Sequence, residues 1–269
     1  MATGTETDAA ARGQLPERVV FLGCPVDRLT VPDTLEWIAA AIAQRVPRLV
    51  VSLNAYLMHQ MADDAALQAI VRSADLLAPE WAVVWGARRL GLPPLGFVPG
   101  VLVVRDFLRL AAGRGFRPYL LGARPEVVAA LAERLHREIG LELAGFHHGY
   151  FDDPGTEARV IDDIRRARPD VLFAAMGAPK QEYWLHAHRE ALGVPVAMGV
   201  GGSFDVLSGF KRDTPSWARG NGLEWVYRTW LDPKAYWKRY LVTNAWFVAQ
   251  VAKARLAERR RLRRDAATG

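Results

Sequence analysis

The sequence predicts an α/β fold: a mostly parallel sheet covered by helices on both faces, followed by a C-terminal helical appendage. Three observations carry this reading. Short apolar runs alternate with helical patterns throughout residues 17–205, as parallel sheets with crossover helices require. Three of those runs end at glycine and turn at once into a helix, near Gly122, Gly177 and Gly201. After Gly209 the alternation stops and the pattern becomes mostly helical.

Taken in order, residues 19–24 read as the first strand and residues 27–42 as a strand end plus helix. Thr34, Ile38, Ala41 and Ile42 recur there at helical spacing. Residues 48–53 form the second strand, which stops at Asn54, and residues 56–70 are helical. Residues 73–77 lead into Ala78-Pro79-Glu80-Trp81. Residues 82–90 form a short helix closed by Gly91 and the Pro93-Pro94 pair. Residues 106–112 are helical and 117–121 form a strand. An amphipathic helix over 125–139 follows, with Pro125 in its first turn and Glu126 favouring its dipole. Residues 141–146 read as a strand, 147–151 as a loop and 157–167 as a helix. Residues 171–176, 183–192 and 194–200 complete the pattern as strand, helix and strand. No repeat or low-complexity linker divides residues 17–208, taken as one core. Residues 1–16 are polar, Ala- and Gly-rich and expected to be disordered, and residues 209–269 form the appendage.

Composition narrows the function classes. The 269 residues are 51% hydrophobic, enough for a substantial core. One cysteine, Cys24, leaves no internal disulfide and suits a reducing compartment. No secretory signal and no run of about 18 apolar residues is present, so neither export nor a membrane span is expected. No Cys/His zinc spacing occurs, so no zinc site is expected, and no cofactor is expected either.

Charge is uneven. Residues 206–269 hold 14 Lys/Arg against 5 Asp/Glu, a net +9, which leaves −3 for residues 1–205 in a chain of +6. Five of the nine tryptophans lie in the same segment: Trp217, Trp225, Trp230, Trp237 and Trp246. Basic residues interleaved with Trp and Tyr suit a membrane–water interface. The terminal run of Lys253, Arg255, Arg259, Arg260, Arg261, Arg263 and Arg264 would be drawn to an anionic lipid surface. A solvated helix face and nucleic acid are the other readings of such a run. The acidic core argues against nucleic acid as a partner.

The candidate site residues come from the turns. A buried strand that stops at Gly177 and re-enters a helix leaves free N–H groups at the positive end of a helix dipole, an anion site. Lys180 adds a mobile positive charge, and Gln181 and Glu182 add directed hydrogen-bonding groups. At the next turn Gly201 and Gly202 let backbone approach a ligand, and Ser203 and Asp205 follow. Asp205 fits either a sugar or ribose hydroxyl or a helix N-cap. No Gly-x-Gly-x-x-Gly opens the helix after Gly23, so the nicotinamide-cofactor fingerprint is missing.

These blocks resemble the WecG/TagA/CpsF glycosyltransferases, glycosyltransferase family 26. Four ordered segments carry the resemblance: Gly145 to Phe151, Gly177 to Glu182, Gly199 to Asp205, and Gly222 to Arg228. The run Arg239-Tyr240-Leu241-Val242-Thr243-Asn244 adds to them. The resemblance implies a Rossmann-like sheet and metal-independent, inverting transfer of a hexose from a UDP-sugar donor. The sugar would be of the N-acetylmannosamine type or a uronic acid. The acceptor would be a polyprenyl-diphosphate-linked sugar in teichoic acid, common-antigen or exopolysaccharide synthesis. It also implies an enzyme held peripherally at the cytoplasmic face of the bacterial plasma membrane through its appendage. A homo-oligomer is compatible with this, and a catalytically inactive relative that binds nucleotide-sugar or a glycosyltransferase partner stays open.

Residue by residue, the family's proposed base is an Asp in a Pro/Ala-Asp-Gly turn, and Glu80 stands there, in a stretch one residue shorter. Glu80 also reads as a helix-start carboxylate serving the dipole. Ser52 and Asn54 match a Thr-x-Asn element at a strand end. Phe97 and Leu102 stand where the family carries Arg and Asp. For the leaving diphosphate the Gly177 turn, Lys180, Gln181, Arg212 and Arg228 are the expected stabilisers.

Overall fold

The computed structural model describes residues 16–151 and 153–268, with the side chains of 262 and 266–268 left aside. The segment expected to be disordered lies, but for Pro16, outside the described residues. Among the described residues there are eight strands: β1 Arg18–Phe21, β2 Cys24–Asp27, β3 Arg48–Leu53, β4 Leu76–Pro79, β5 Pro118–Gly122, β6 Gly145–His147, β7 Val171–Ala175 and β8 Val196–Gly199. The six from β3 to β8 form one all-parallel sheet in the order β4-β3-β8-β7-β5-β6. The parallel sheet covered by helices is therefore as the alternation predicts.

The sheet is buried on both faces, so β4, β5, β7 and β8 are buried at every position. Alternate residues face alternate layers. Leu49, Val51, Leu53, Leu77, Leu121, Leu172 and Ala174 join one apolar cluster. Val50, Leu76, Ala78, Leu120, Phe173, Val196 and Met198 join the other. Helices α1 (Val31–Gln44), α5 (Gly100–Arg114) and α6 (Pro125–Ile139) contribute to the second cluster. Helices α2 (Ala55–Met61), α3 (Ala65–Arg72), α4 (Trp81–Arg89), α7 (Pro154–Ala167) and α8 (Lys180–Leu192) contribute to the first.

Three expectations need correction. Residues 19–24 are not a strand of the main sheet: Leu22 and Gly23 take positive φ and reverse the chain, so β1 and β2 form a separate antiparallel hairpin. Arg18 and the Leu77 N–H hold the buried Asp27 carboxylate and so tie the hairpin beside β4. The helix expected over 56–70 is two helices, because Asp64 caps a fresh start at the Leu67 N–H. The helix expected over 106–112 runs the full length of α5, its first turn hidden by glycine and valines.

The last elements are α9 (Ser203–Leu207), α10 (Ser216–Arg219), α11 (Glu224–Leu231) and α12 (Pro233–Thr268). Phe247 and Val251 of α12 are buried, with Phe247 5.9 Å from the Phe21 ring, so this helix is part of the core as far as Val251. Beyond it the helix is mostly exposed. Among the described residues no helix is long and apolar enough to cross a membrane.

Candidate active site

Strand register sets the site. Leu53 pairs with Pro79, Val51 with Gly199, and Ala174 with Gly199, so β3, β4, β7 and β8 end within about two residues of one another. The residues that follow each strand come over one rim, where parallel sheets bind ligands. They enclose a cavity of ≈ 320 Å³, within the range of small-molecule sites.

Glu80 occupies one wall. It is the N-cap residue of α4, yet its side chain makes no capping bond, so the carboxyl group is free to face the cavity. Its backbone N–H donates to Leu53 O at 2.9 Å, which fixes the residue at the strand end. Burial, and then the Glu224 carboxylate, push its pKa up to about 7. Arg228, the Asn54 amide and the Gly100 N–H pull the other way. Asn54 caps α2 through Oδ1, which accepts the Leu57 N–H at 2.9 Å, leaving its NH₂ to face Glu80. Ser52 Oγ is buried beside Gly100 with no protein partner among the described residues.

The opposite wall joins two turns. Gln181 Oε1 accepts the Gly201 N–H at 3.0 Å, and Gln181 Nε2 donates to Glu182 Oε1 at 2.9 Å. A Cβ on Gly199 would lie 2.6 Å from Gln181 Nε2, so only glycine admits the amide there. Glu182 is 3% exposed, its Oε2 lacks a partner among the described residues, and burial raises its pKa. The Ala178–Pro179 peptide, in the turn just before Gln181, is cis.

The appendage closes the third side. Gly222, Glu224, Trp225, Arg228, Arg239, Tyr240, Thr243 and Asn244 all face the cavity. Arg228 pairs with Glu224 one turn earlier. The Arg239 guanidinium lies 5.0 Å from the Tyr56 and Tyr236 rings and 5.3 Å from Tyr240, bridging α2 and α12. Among the described residues no three His, Cys, Asp or Glu groups cluster as metal ligands.

A cleft over the carboxyl edge of a parallel sheet, holding a carboxyl group that titrates near neutrality, suits group transfer. A family model described as glycosyl transferase WecG/TagA/CpsF family matches residues 19–261. The chain belongs to this family. It is 34% identical over 194 residues to an N-acetylglucosaminyldiphosphoundecaprenol N-acetyl-beta-D-mannosaminyltransferase of Bacillus spizizenii, covering 71% of this chain and 74% of that one. It is 31% identical over 243 residues to the enzyme of the same name from Staphylococcus aureus, covering 88% and 93%.

In this WecG/TagA/CpsF glycosyltransferase the cavity brings together Ser52, Asn54, Glu80, Gly177, Gln181, Glu182, Gly201, Gly202, Ser203 and Arg228. Ser203 Oγ donates to Val200 O at 2.6 Å and so fastens its own turn. Lys180, Asp205 and Arg212 do not line the cavity. Lys180 Nζ donates to Gly149 O at 3.4 Å and sits over the Phe151 ring. Asp205 lies on α9 and Arg212 is exposed. His147 and His148 hydrogen-bond within their own loop. Phe97 does line the cavity.

Sequence reasoning missed Tyr56, Trp81, Glu224, Arg239 and Tyr240 as members of the site. Arg239 and Tyr240 stand in a run that carries the family resemblance, which was a usable signal. Nothing local marked Tyr56 or Trp81, because their place depends on where the appendage docks.

Proposed function

We propose that the protein transfers an N-acetylmannosamine-type sugar, with inversion, from a UDP-sugar to a polyprenyl-diphosphate-linked sugar. The Glu80 carboxyl group carries this reading: it is buried in the cavity and titrates near pH 7, as a general base at neutral pH should. The Bacillus spizizenii and Staphylococcus aureus relatives, named as N-acetylmannosaminyltransferases acting on a diphosphoundecaprenol-linked N-acetylglucosamine, support this substrate class.

In the proposed step the acceptor hydroxyl oxygen attacks the anomeric carbon from the face opposite UDP. Its proton passes to the Glu80 carboxylate as the bond to the diphosphate breaks. UDP departs with the bonding electron pair. Arg228 lines the cavity beside Gly177 and Gly202 and would meet that charge. Asn54 holds Glu80 in place and also stabilises its ionised form. No step calls on a metal.

We also propose that the enzyme works at the cytoplasmic face of the plasma membrane, where a lipid-linked acceptor is held. Supporting this, Trp217, Trp230, Trp237 and Leu241 are 54–73% exposed on α10 to α12, and α12 ends in a basic run.

The test is UDP release from a panel of UDP-sugars with a short-chain polyprenyl-diphosphate-linked N-acetylglucosamine acceptor. Acceptor-dependent release from UDP-N-acetylmannosamine is expected. No release with any donor, from a protein that still binds UDP, would contradict the reading.

A further inference from the structure

Trp81 follows Glu80 directly and opens α4. Its ring lies flat against the backbone of Gly222, just before α11 in the appendage. A Cβ on Gly222 would sit 2.2 Å from Trp81 Cζ2, 2.3 Å from Cη2 and 2.4 Å from Cε2, so no side chain fits. The Gly222 φ of +72° disfavours one on backbone grounds as well. Trp85 braces the ring from behind, with centroids 6.4 Å apart and planes 21° from parallel, and Arg89 covers Trp85 at 5.3 Å.

Helix α11 has no fully buried residue of its own. No core holds it, so its seating depends on its neighbours. One is α12. Another is α10, whose Ala218 O accepts the Leu223 N–H, and a third is the contact at its N-terminal end, where Gly222 receives Trp81. Glu224 and Arg228 lie two and six residues beyond Gly222, and both face the cavity beside Glu80.

We propose that Trp81 is a positioning residue: the fit of its ring against Gly222 seats α11 and so delivers Glu224 and Arg228 to Glu80. The inference rests on the reading of Glu80 as the base for its functional weight, but not for its geometry. Docking of the appendage then sets the base. With α11 seated, Glu80 is enclosed and faces Glu224 and Arg228 of α11, Arg239 and Tyr240 of α12, Tyr56 of α2 and Glu182 of α8 across the cavity. With α11 displaced, water reaches the carboxyl group and both α11 charges are gone. The carboxyl then titrates like an ordinary glutamate, at about 4.3.

The experiment needs no substrate. Protein labelled with ¹³C at glutamate carboxyls is titrated by NMR, with Glu80→Gln assigning the resonance, and amide hydrogen exchange is followed over residues 224–231. Wild type, Trp81→Ala, Trp81→Phe and Gly222→Ala are compared. The wild-type Glu80 midpoint should fall near 7. In Trp81→Ala it should fall to near the free-glutamate value of about 4.3, with exchange across α11 at least about tenfold faster. Trp81→Phe should keep most of both properties. Gly222→Ala should act like Trp81→Ala although it leaves α4 untouched, which separates loss of seating from damage to that helix. Unchanged α11 exchange in both Trp81→Ala and Gly222→Ala would overturn the proposal. So would a shifted Glu80 midpoint with α11 protection intact. Absence of sugar transfer by the wild type would sink the transferase reading and leave this result standing.

Discussion

The side-chain oxygen of Gln181 accepts the backbone N–H of Gly201 at 3.0 Å, joining the turn after β7 to the turn after β8. One amide thus fixes the spacing of two glycine turns on the rim of a single cavity. Gln181→Ala leaves that N–H without its partner and opens space against Gly199. The expected result is about 1–3 kcal/mol of lost stability by chemical denaturation, and a fall in kcat of about 100-fold. Gln181→Glu keeps an acceptor for Gly201 but sets a second carboxyl against Glu182, so its activity should fall more steeply as pH rises.

Glu80 links activity and stability to pH with opposite signs. Its folded pKa of about 7 lies above the unfolded value, so the folded state holds the proton more tightly. The stabilisation is full below the unfolded value, shrinks as pH rises between the two, and is gone above 7. Glu80→Gln should therefore raise the melting temperature at pH 8 by about 2–4 °C per kcal/mol relieved and change it little at pH 4.5. Scanning calorimetry at the two pH values checks this.

The two α11 charges should tune Glu80 in opposite directions. Glu224 raises its pKa and Arg228 lowers it. Glu224→Gln should move the acid limb of the pH–rate profile below that of wild type. Arg228→Ala should move it above, and should also lower kcat if Arg228 meets the leaving diphosphate. Profiles of kcat against pH for the two variants separate these effects.

The basic end of α12 can be removed without touching the core. Val251 is 4% exposed and is the last buried one among the described residues, so deleting residues 254–269 spares that apolar packing. Binding to anionic liposomes should weaken by up to about 1 kcal/mol for each Lys or Arg lost, and more at low salt than high, while UDP affinity stays within about twofold. Equal liposome sedimentation by the truncated protein would refute the membrane role.

Much of the fold was legible because the buried parallel strands read as unbroken apolar runs. Residues 171–176 and 194–200 could be placed from the chain alone, and so could the turns that follow them. The hairpin was not legible: Val19 to Cys24 is apolar throughout, and only the left-handed Leu22-Gly23 pair breaks it. The first turn of α5 was hidden by Gly100 and three valines, which favour other structures. In the site, Ser52, Asn54 and Glu80 were reachable because each sits at a strand end, and Gln181 and Glu182 because they open the helix that follows the Gly177 turn. The appendage side was less so. Arg239 meets Tyr56 across 183 positions of sequence, a contact that no local pattern encodes.

The central claim is that Glu80 takes the acceptor's proton. The most direct test is the pH dependence of acceptor-dependent UDP release from UDP-N-acetylmannosamine, for wild type and Glu80→Gln. The account predicts a wild-type rate that rises with pH through about 7. It predicts a Glu80→Gln rate lower by about 100- to 10,000-fold and flat across that range, with UDP affinity retained. A Glu80→Gln enzyme with wild-type turnover, or with the same inflection near 7, would contradict it.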